Sequence, residues 1–169
     1  MAPILDVRNL QTHFFTKGGV LKAVDGVSFV IGAGEIVGLV GESGSGKSIT
    51  GFSILGLVDE PGRIVGGEIL FKGKDLKTLP VAEMQKMRGS SIAMIFQDPM
   101  MTLNPVLRIE TQMIEAIQTH DSSVSKDEAR QRSRDALGLV GISSPEERMR
   151  AYPHQFSGGM RQRVSIAVS

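Results

Sequence analysis

The sequence predicts an α/β fold in which a strand-rich part, residues 1–98, is followed by a helical part, residues 99–169. Several runs in the first part alternate between apolar and polar residues, the period of a strand with one buried face. A run that is apolar throughout, residues 36–40, leads into a glycine-rich segment and then a helical pattern, as in a βαβ unit. The second part repeats its apolar residues at helical spacing. An α/β core with a helical insertion accounts for all three observations.

Two kinds of strand are predicted in the first part. Alternation predicts strands over residues 4–15, 21–31 and 68–72. In the first of these, Leu5, Val7 and Leu10 belong to one face, and Asp6 and Arg8 belong to the other. Two runs without any polar residue predict strands that are covered on both faces, as in a parallel sheet, and they are residues 36–40 and 92–96.

Helices are predicted over residues 46–58, 80–88, 107–119 and 125–139, and from residue 157 to residue 169. Pro80 stands in the first turn of the second helix, where its missing N–H costs nothing. Ser125 precedes the fourth helix and Glu128 follows three residues later, the spacing of a capping box. These residues predict where the two helices begin.

Composition excludes several classes of protein. The 169 residues include 19 Lys and Arg against 18 Asp and Glu, a formal net charge of +1, which argues against a nucleic-acid binder driven by phosphate neutralisation. The absence of Cys excludes a disulfide scaffold, a thiol catalyst and a Cys-ligated metal centre. No apolar run reaches the roughly 20 residues of a membrane-spanning helix, and the N-terminus lacks the pattern of a signal peptide. We therefore expect a cytoplasmic protein, unless a partner holds it at a membrane.

One segment carries a strong chemical signal. Residues 41–48 read G-E-S-G-S-G-K-S, which matches the phosphate-binding loop pattern Gly-x4-Gly-Lys-Ser/Thr between a strand and a helix. Its glycines let successive N–H groups point inward, and the start of the following helix adds a positive dipole end. Lys47 supplies a point charge for the β- and γ-phosphates, and the Ser48 hydroxyl suits Mg²⁺. The residues expected to bind nucleotide are Gly41, Glu42, Ser43, Gly44, Ser45, Gly46, Lys47, Ser48 and Ile49.

Two alternatives to a phosphate site exist for this loop. A glycine-rich turn with a solvated lysine would explain the composition, but the strand and helix on either side favour the phosphate site. A dinucleotide-binding pattern, Gly-x-Gly-x-x-Gly, would start at Gly44 and needs glycine where Ile49 stands. The dinucleotide interpretation is therefore rejected.

A second possible anion site begins the last helix. Ser157 occupies an N-cap position, and Gly158 and Gly159 expose the backbone at the helix start. Taken alone, this stretch is better explained by simple helix capping than by an anion site. In the same way, Gln97 taken alone is a polar residue at the end of a buried strand.

The order of these motifs resembles the nucleotide-binding domain of ABC transporters over essentially the whole chain. The phosphate loop is followed by F-Q-D-P at residues 96–99 and by F-S-G-G-M-R-Q-R-V at residues 156–164. Gln97 stands where that family has its Q-loop glutamine, and residues 157–161 fall on its signature motif, with Phe156 in place of the commoner leucine. The resemblance implies a P-loop NTPase core with an antiparallel β subdomain and an inserted helical subdomain.

Finer details resemble the dipeptide, oligopeptide and nickel importer branch of that family. They are A-V-D-G-V-S-F at residues 23–29, Q-D-P-M-M-T-L-N-P at residues 97–105 and Y-P-H-Q-F-S-G-G-M at residues 152–160. This resemblance implies an ATP-binding subunit that couples ATP binding and hydrolysis to peptide uptake. It also implies a peripheral location on the cytoplasmic face of the inner membrane.

The resemblance implies a set of ligands, partners and roles. ATP with Mg²⁺ would lie between two subunits that face each other head to tail, the second subunit being identical or paralogous. Ser157, Gly158 and Gly159 would contact the γ-phosphate held by the partner's phosphate loop. Gln97 would approach Mg²⁺, together with Ser48, or the attacking water. Integral-membrane permease subunits would be direct partners, an extracytoplasmic solute-binding protein an indirect one, and nucleic acid none.

The family's strand ending in Asp-Glu and its switch histidine lie downstream of the signature helix, and residue 169 falls within or near the end of that helix. The resemblance therefore implies that the C-terminal part of the domain is missing, and that these 169 residues hydrolyse ATP slowly or not at all. The similar-looking Asp59-Glu60 pair would end the phosphate-loop helix in solvent and has no catalytic role. An interaction module that binds nucleotide without turnover, and an ABC ATPase outside transport, are the alternatives. The adenine-stacking residue stays open between Phe14 and Phe15.

Overall fold

The computed structural model describes residues 3–98 and 102–169, and the chain forms two compact units, Met1–Arg88 and Gly89–Ser169. The sequence predicts the helical part from residue 99, whereas the second unit begins at Gly89. The reason is local hydrogen bonding, because the Gly89 N–H donates to the Ile92 carbonyl and the Gln162 side chain donates to the Phe96 carbonyl.

The first unit is built on a four-stranded antiparallel sheet. Its strands are β1 (Leu5–Thr16), β2 (Gly19–Ile31), β3 (Gly62–Phe71) and β4 (Lys74–Asp75), in the spatial order β2-β1-β3-β4. Two helices accompany it, α1 (Lys47–Leu55) and α2 (Val81–Met87), with a short 3-10 helix at Leu76–Thr78. The alternating runs of the sequence therefore become the strands of an antiparallel subdomain, as expected.

A β-bulge in the middle of β1 decides which of its residues are buried. Asn9 has a φ of +46°, and its N–H leaves the ladder to donate to the Ser28 hydroxyl at 2.8 Å. The extra residue turns Val7 and Leu10, which stand three apart, to the same buried face. Gly67 of the neighbouring strand β3 lies directly beside the bulge, and a Cβ at this position would be 2.4 Å from the Asn9 carbonyl oxygen.

Two predicted strands are not formed in this structure. Residues 36–40 join no ladder, and Ile36 and Val40 are 99% and 94% exposed. In residues 92–96, Ile92 is an isolated bridge residue and the others are irregular. A strand that is apolar on both faces is stable only between neighbouring strands. No strand of the described residues pairs with either segment, so the prediction is wrong for both.

Two other elements differ from their predicted lengths. Helix α1 ends at Leu55 rather than at residue 58, because Gly56 takes a left-handed conformation with a φ of +62° and its N–H donates to the Phe52 and Ser53 carbonyls. Strand β3 starts at Gly62, earlier than its alternation predicts. Gly62 carries no apolar side chain, yet it packs under the Phe14 ring, where a Cβ would lie 2.6 Å from Cε1.

The second unit is helical. It contains α3 (Ile109–His120), α4 (Lys126–Leu139), α5 (Pro145–Met149), a 3-10 helix at Pro153–Gln155 and α6 (Gly158–Val168). The larger of its two buried apolar clusters is contributed by all four α-helices and the adjoining loops: Leu103, Ile109, Met113, Leu137, Ile142, Met149, Phe156 and Val164. The smaller cluster consists of Ile114, Val124 and Ala129. The Ser125 hydroxyl caps α4 by accepting the Glu128 N–H at 3.2 Å, as predicted. Among the described residues, no helix combines the length and apolar character needed to cross a bilayer.

Candidate functional site

The loop that precedes α1 has a backbone path that only glycine permits at its last position. Gly44 and Gly46 have φ values of +79° and +90°. A Cβ on Gly46 would lie 2.2 Å from the Ala23 carbonyl oxygen of β2, whereas nothing lies within 4 Å of a Cβ on Gly44. Both glycines supply the left-handed turns, and Gly46 also lets α1 start directly against the sheet.

The N-terminus of α1 is left open by its own chain. Gly46 is the N-cap residue, so no side chain caps the helix, and the first turn contains no acidic residue. The first N–H groups of any α-helix have no intrahelical acceptor, and they carry the positive end of the helix dipole. The start of α1 therefore presents unneutralised N–H donors, which suits an anion.

Lys47 organises the loop in front of this helix start. Its ammonium group donates to the Gly41 carbonyl at 2.8 Å, to the Glu42 carbonyl at 2.6 Å and to the Ser45 hydroxyl at 3.3 Å. These bonds fold the loop around one positive charge. Residues 41–45 and Ser48 are exposed, and Ile49 is half-buried. Residues 41–49 thus form one accessible loop and helix start, with the Lys47 ammonium at its centre.

Helix α1 is fastened to its unit by contacts that the sequence did not predict. The Thr12 hydroxyl of β1 meets the Ser53 hydroxyl at 2.8 Å, and the Ser53 hydroxyl donates to the Ile49 carbonyl at 2.7 Å. At the other end, the Arg88 guanidinium donates from Nε to the Leu55 carbonyl at 2.8 Å and from a terminal nitrogen to the Gly56 carbonyl at 2.9 Å. A threonine within a strand is ordinary, so no sequence signal marked Thr12.

The start of α6 is a second exposed helix start. The Ser157 hydroxyl accepts the Met160 N–H at 3.3 Å and caps the helix. Ser157, Gly158 and Gly159 are exposed, and a Cβ on either glycine would meet nothing within 4 Å. The fold of this chain therefore gives no steric reason for glycine at these two positions. Phe156, just before them, is buried in the core of the second unit.

Gln97 is exposed and belongs to the second unit. The residue before it is tied to α6, because the Gln162 amide donates to the Phe96 carbonyl at 3.3 Å. Gln97 and residues 157–159 therefore lie in one unit, and residues 41–49 lie in the other. Pro99 of the Q-loop motif, with Met100 and Met101, lies outside the described residues.

Other acidic and aromatic candidates have simple placements. Asp59 and Glu60 are exposed and stand beyond the end of α1, where the Asp59 carbonyl accepts the Gly62 N–H. Phe14 packs on Gly62, and Phe15 is 37% exposed with the Arg63 guanidinium 4.1 Å above its ring. Within residues 3–98 and 102–169, no group of three or more His, Cys, Asp or Glu side chains could hold a metal.

The sequence of this chain is similar to a known protein family and to curated members of it. Residues 24–169 match the sequence model of the ABC transporter family. The chain is 51% identical to the oligopeptide transport ATP-binding protein AppD of Bacillus subtilis, over 100% of this chain and 52% of that protein. It is 46% identical to the dipeptide transport ATP-binding protein DppD of Haemophilus influenzae, over 98% and 50%. The chain thus spans about half the length of the curated relatives it matches.

Solved structures share the fold as well. The dimeric structure of MJ0796, a bacterial ABC transporter cassette, superposes with a TM-score of 0.83 at 27% identity, over 97% of this chain and 68% of that one. A post-hydrolysis dimer of the same cassette with ADP and Pi gives a TM-score of 0.81 at 25% identity, with the same coverage. The family match extends from β2 through the phosphate loop to the end of α6, and on that ground this chain belongs to the ABC transporter family.

Proposed function

We propose that this chain binds ATP at residues 41–49 and acts as part of an ATP-binding subunit that drives peptide import. The observation that carries the proposal is the open start of α1, with an exposed loop wound around the Lys47 ammonium. The donors and the charge match a triphosphate, which offers many negative oxygens close together. When nucleotide binds, its phosphates would replace the loop carbonyls as partners of the lysine.

Mg²⁺ fits the same site. Ser48 is exposed in the first turn of α1, and its hydroxyl would lie beside the β- and γ-phosphates of a bound ATP. Mg²⁺ prefers oxygen ligands shared between protein and phosphate. The bound ion would neutralise charge on the phosphates. Gln97 is exposed, and we expect its side-chain amide oxygen to be a further ligand of the ion.

The signature residues would act on a second subunit. Gly158 and Gly159 are exposed and have open space at their Cβ positions, so glycine serves an approach from outside this chain. We expect Ser157, Gly158 and Gly159 to bind the γ-phosphate of ATP held by a partner's phosphate loop. The relative MJ0796 is described as a dimer, which supports this arrangement. Loss of the γ-phosphate would remove the bridging contacts, so ATP would shift the population toward the closed dimer.

The importer role follows from relatives named for oligopeptide and dipeptide transport. We expect direct contact with permease subunits at the cytoplasmic face of the inner membrane, and an indirect link to an extracytoplasmic solute-binding protein. ATP binding without turnover would match the alternative of an interaction module.

The test is calorimetric titration of the 169-residue chain with MgATP. Lys47→Ala should weaken ATP binding about 10- to 100-fold, because a charged hydrogen bond contributes about 1.5–3 kcal/mol. Lys126→Ala removes an exposed lysine from the first turn of α4 and is the matched control. Unchanged affinity in Lys47→Ala, with both variants folded, would show that the loop is not the nucleotide site.

A further inference from the structure

Helix α1 is fixed on the sheet at two points along its length. At its start, the Gly46 backbone lies against the Ala23 carbonyl, and the Thr50 hydroxyl donates back to the Gly46 carbonyl at 3.0 Å. Further along, the Ser53 hydroxyl meets the Thr12 hydroxyl of β1. Thr12 and Ser53 are 0% and 2% exposed, so water does not compete for this second contact.

The direction of the second contact follows from proton counting. A serine hydroxyl has one proton. The Ser53 proton goes to the Ile49 carbonyl at 2.7 Å, so at 2.8 Å the Thr12 hydroxyl is the donor and Ser53 the acceptor. A directed chain thus runs from Thr12 through Ser53 to the Ile49 carbonyl. Each bond polarises the next, which strengthens both in a buried setting.

This chain of hydrogen bonds ends at the Ile49 carbonyl, in the first turn of α1. Ile49 belongs to the turn whose free N–H groups face the phosphate site, so the Thr12–Ser53 contact fixes the rotation of that turn about the helix axis. Without this contact, α1 would be held on the sheet only at Gly46, since Arg88 ties the other end to α2. The helix could then rotate about its axis, and its N–H donors would no longer point to one place. Preorganised donors bind an anion more tightly than donors that must first be ordered.

We propose that Thr12 is a positioning residue of the nucleotide site, acting through Ser53. The proposal rests on the proposed function, since it assigns Thr12 a part in ATP affinity. Valine would fill the same volume on β1, so packing alone does not require a hydroxyl at this position. Valine cannot donate the hydrogen bond that Ser53 accepts. The substitution would therefore leave a lone pair on the buried Ser53 hydroxyl oxygen without a partner.

The test compares three variants of the 169-residue chain by MgATP titration, at a temperature well below the thermal midpoint of each. Thr12→Val should raise the ATP Kd about 3- to 10-fold, the scale of one buried hydrogen bond. Thr12→Ser keeps the hydroxyl and should restore the wild-type Kd. Thr78→Val removes an exposed hydroxyl of the same unit, which donates to the Asp75 carbonyl, and it should leave the Kd unchanged.

The outcomes separate three possibilities. A merely structural Thr12 would lower the thermal midpoint of Thr12→Val while the folded protein kept its wild-type Kd, and that result overturns the proposal. If Thr12→Val does not fold, Ser53→Ala breaks the same chain from the helix side and decides by the same criterion. Absence of ATP binding by the wild-type chain would instead overturn the proposed function, and the positioning role with it.

Discussion

Single backbone positions decide whether the phosphate loop can exist. Gly46 combines a φ of +90° with a contact in which a Cβ would lie 2.2 Å from a carbonyl oxygen, whereas Gly44 has a φ of +79° and open space. A left-handed conformation costs a residue with a Cβ about 1–2 kcal/mol. We expect Gly44→Ala to lower the free energy of unfolding by that amount. We expect Gly46→Ala to lower it further, because α1 must move off β2.

Urea unfolding and ATP titration of the two alanine variants check this expectation. The extra loss in Gly46→Ala should come with weaker ATP binding, because the same movement displaces the start of α1. Equal unfolding free energies for the two variants would show that the contact with Ala23 is relaxed in solution.

Asp121 illustrates a titratable residue whose setting is entirely local. The Ser123 hydroxyl donates to its carboxylate at 2.5 Å and the Ser123 N–H donates at 3.1 Å, which together lower the pKa of Asp121, with Arg132 adding a smaller effect. A folded pKa below the unfolded pKa stabilises the folded state above the unfolded pKa, and this stabilisation is lost as pH falls through the folded pKa.

Removal of the serine hydroxyl should reverse this shift. We expect Ser123→Ala to raise the pKa of Asp121 toward its ordinary value, because the hydroxyl bond is the largest cause. The carboxyl carbon chemical shift of Asp121, followed by NMR across an acid titration, measures this directly. A titration midpoint that does not move between wild type and variant would contradict the prediction.

At the scale of elements, the two ends of α1 differ in their hydrogen bonding. The start has no capping side chain and is open to an anion, whereas at the end Arg88 donates to the Leu55 and Gly56 carbonyls. A guanidinium at a helix C-terminus pairs with the negative end of the dipole and with the unpaired carbonyls. The end of α2 is thereby tied to the end of α1.

Arg88→Met should lower the free energy of unfolding by about 1–2 kcal/mol, on the scale of a half-buried charged hydrogen bond. Arg88→Lys should recover only part of this loss, since lysine lacks the fork that reaches two carbonyls. The control is Arg132→Met, which removes an exposed pair with Glu128 and should cost about 0.3–0.5 kcal/mol. Urea unfolding measures all three, and equal losses for Arg88→Met and Arg132→Met would contradict the capping role.

Elements whose signals are local could be predicted, and elements that depend on distant partners could not. The Ser125 cap and the alternation of β1 are written in neighbouring residues, so α4 and β1 have their predicted places. The helix Pro145–Met149 is too short to show a period of its own. Residues 36–40 carry the pattern of a buried strand, but no described strand lies beside them, so the pattern alone could not form one.

At the scale of the whole molecule, some residues of the candidate site are indicated by neighbouring sequence, and others depend on distant parts of the fold or on other molecules. Residues 41–49 are contiguous, and their loop geometry depends on two glycines and one lysine, so the sequence motif alone could point to them as a nucleotide site, and this stays a prediction. Thr12 and Arg88 reach α1 through the tertiary fold and carry no motif. Gln97 and residues 157–159 belong to the other unit, and their predicted roles involve a nucleotide and a second subunit. Their recognition came from family resemblance.

Gly159 is predicted to face the nucleotide of a second subunit. Gly159 has open space at its Cβ position, so Gly159→Glu should fold normally and keep the ATP affinity of its own phosphate loop. The added carboxylate would stand where a partner's γ-phosphate approaches, and two negative groups repel each other there. We therefore expect the variant to lose ATP-dependent dimerisation, measured by sedimentation with MgATP.

The measured quantity is the increase in dimer fraction on addition of MgATP, because the exposed Ile36 and Val40 side chains could drive association without ATP. Gly138→Glu, at an exposed helical glycine with equally open space, is the matched control. If both variants gain the wild-type dimer fraction when MgATP is added, then Gly159 does not face a partner's nucleotide.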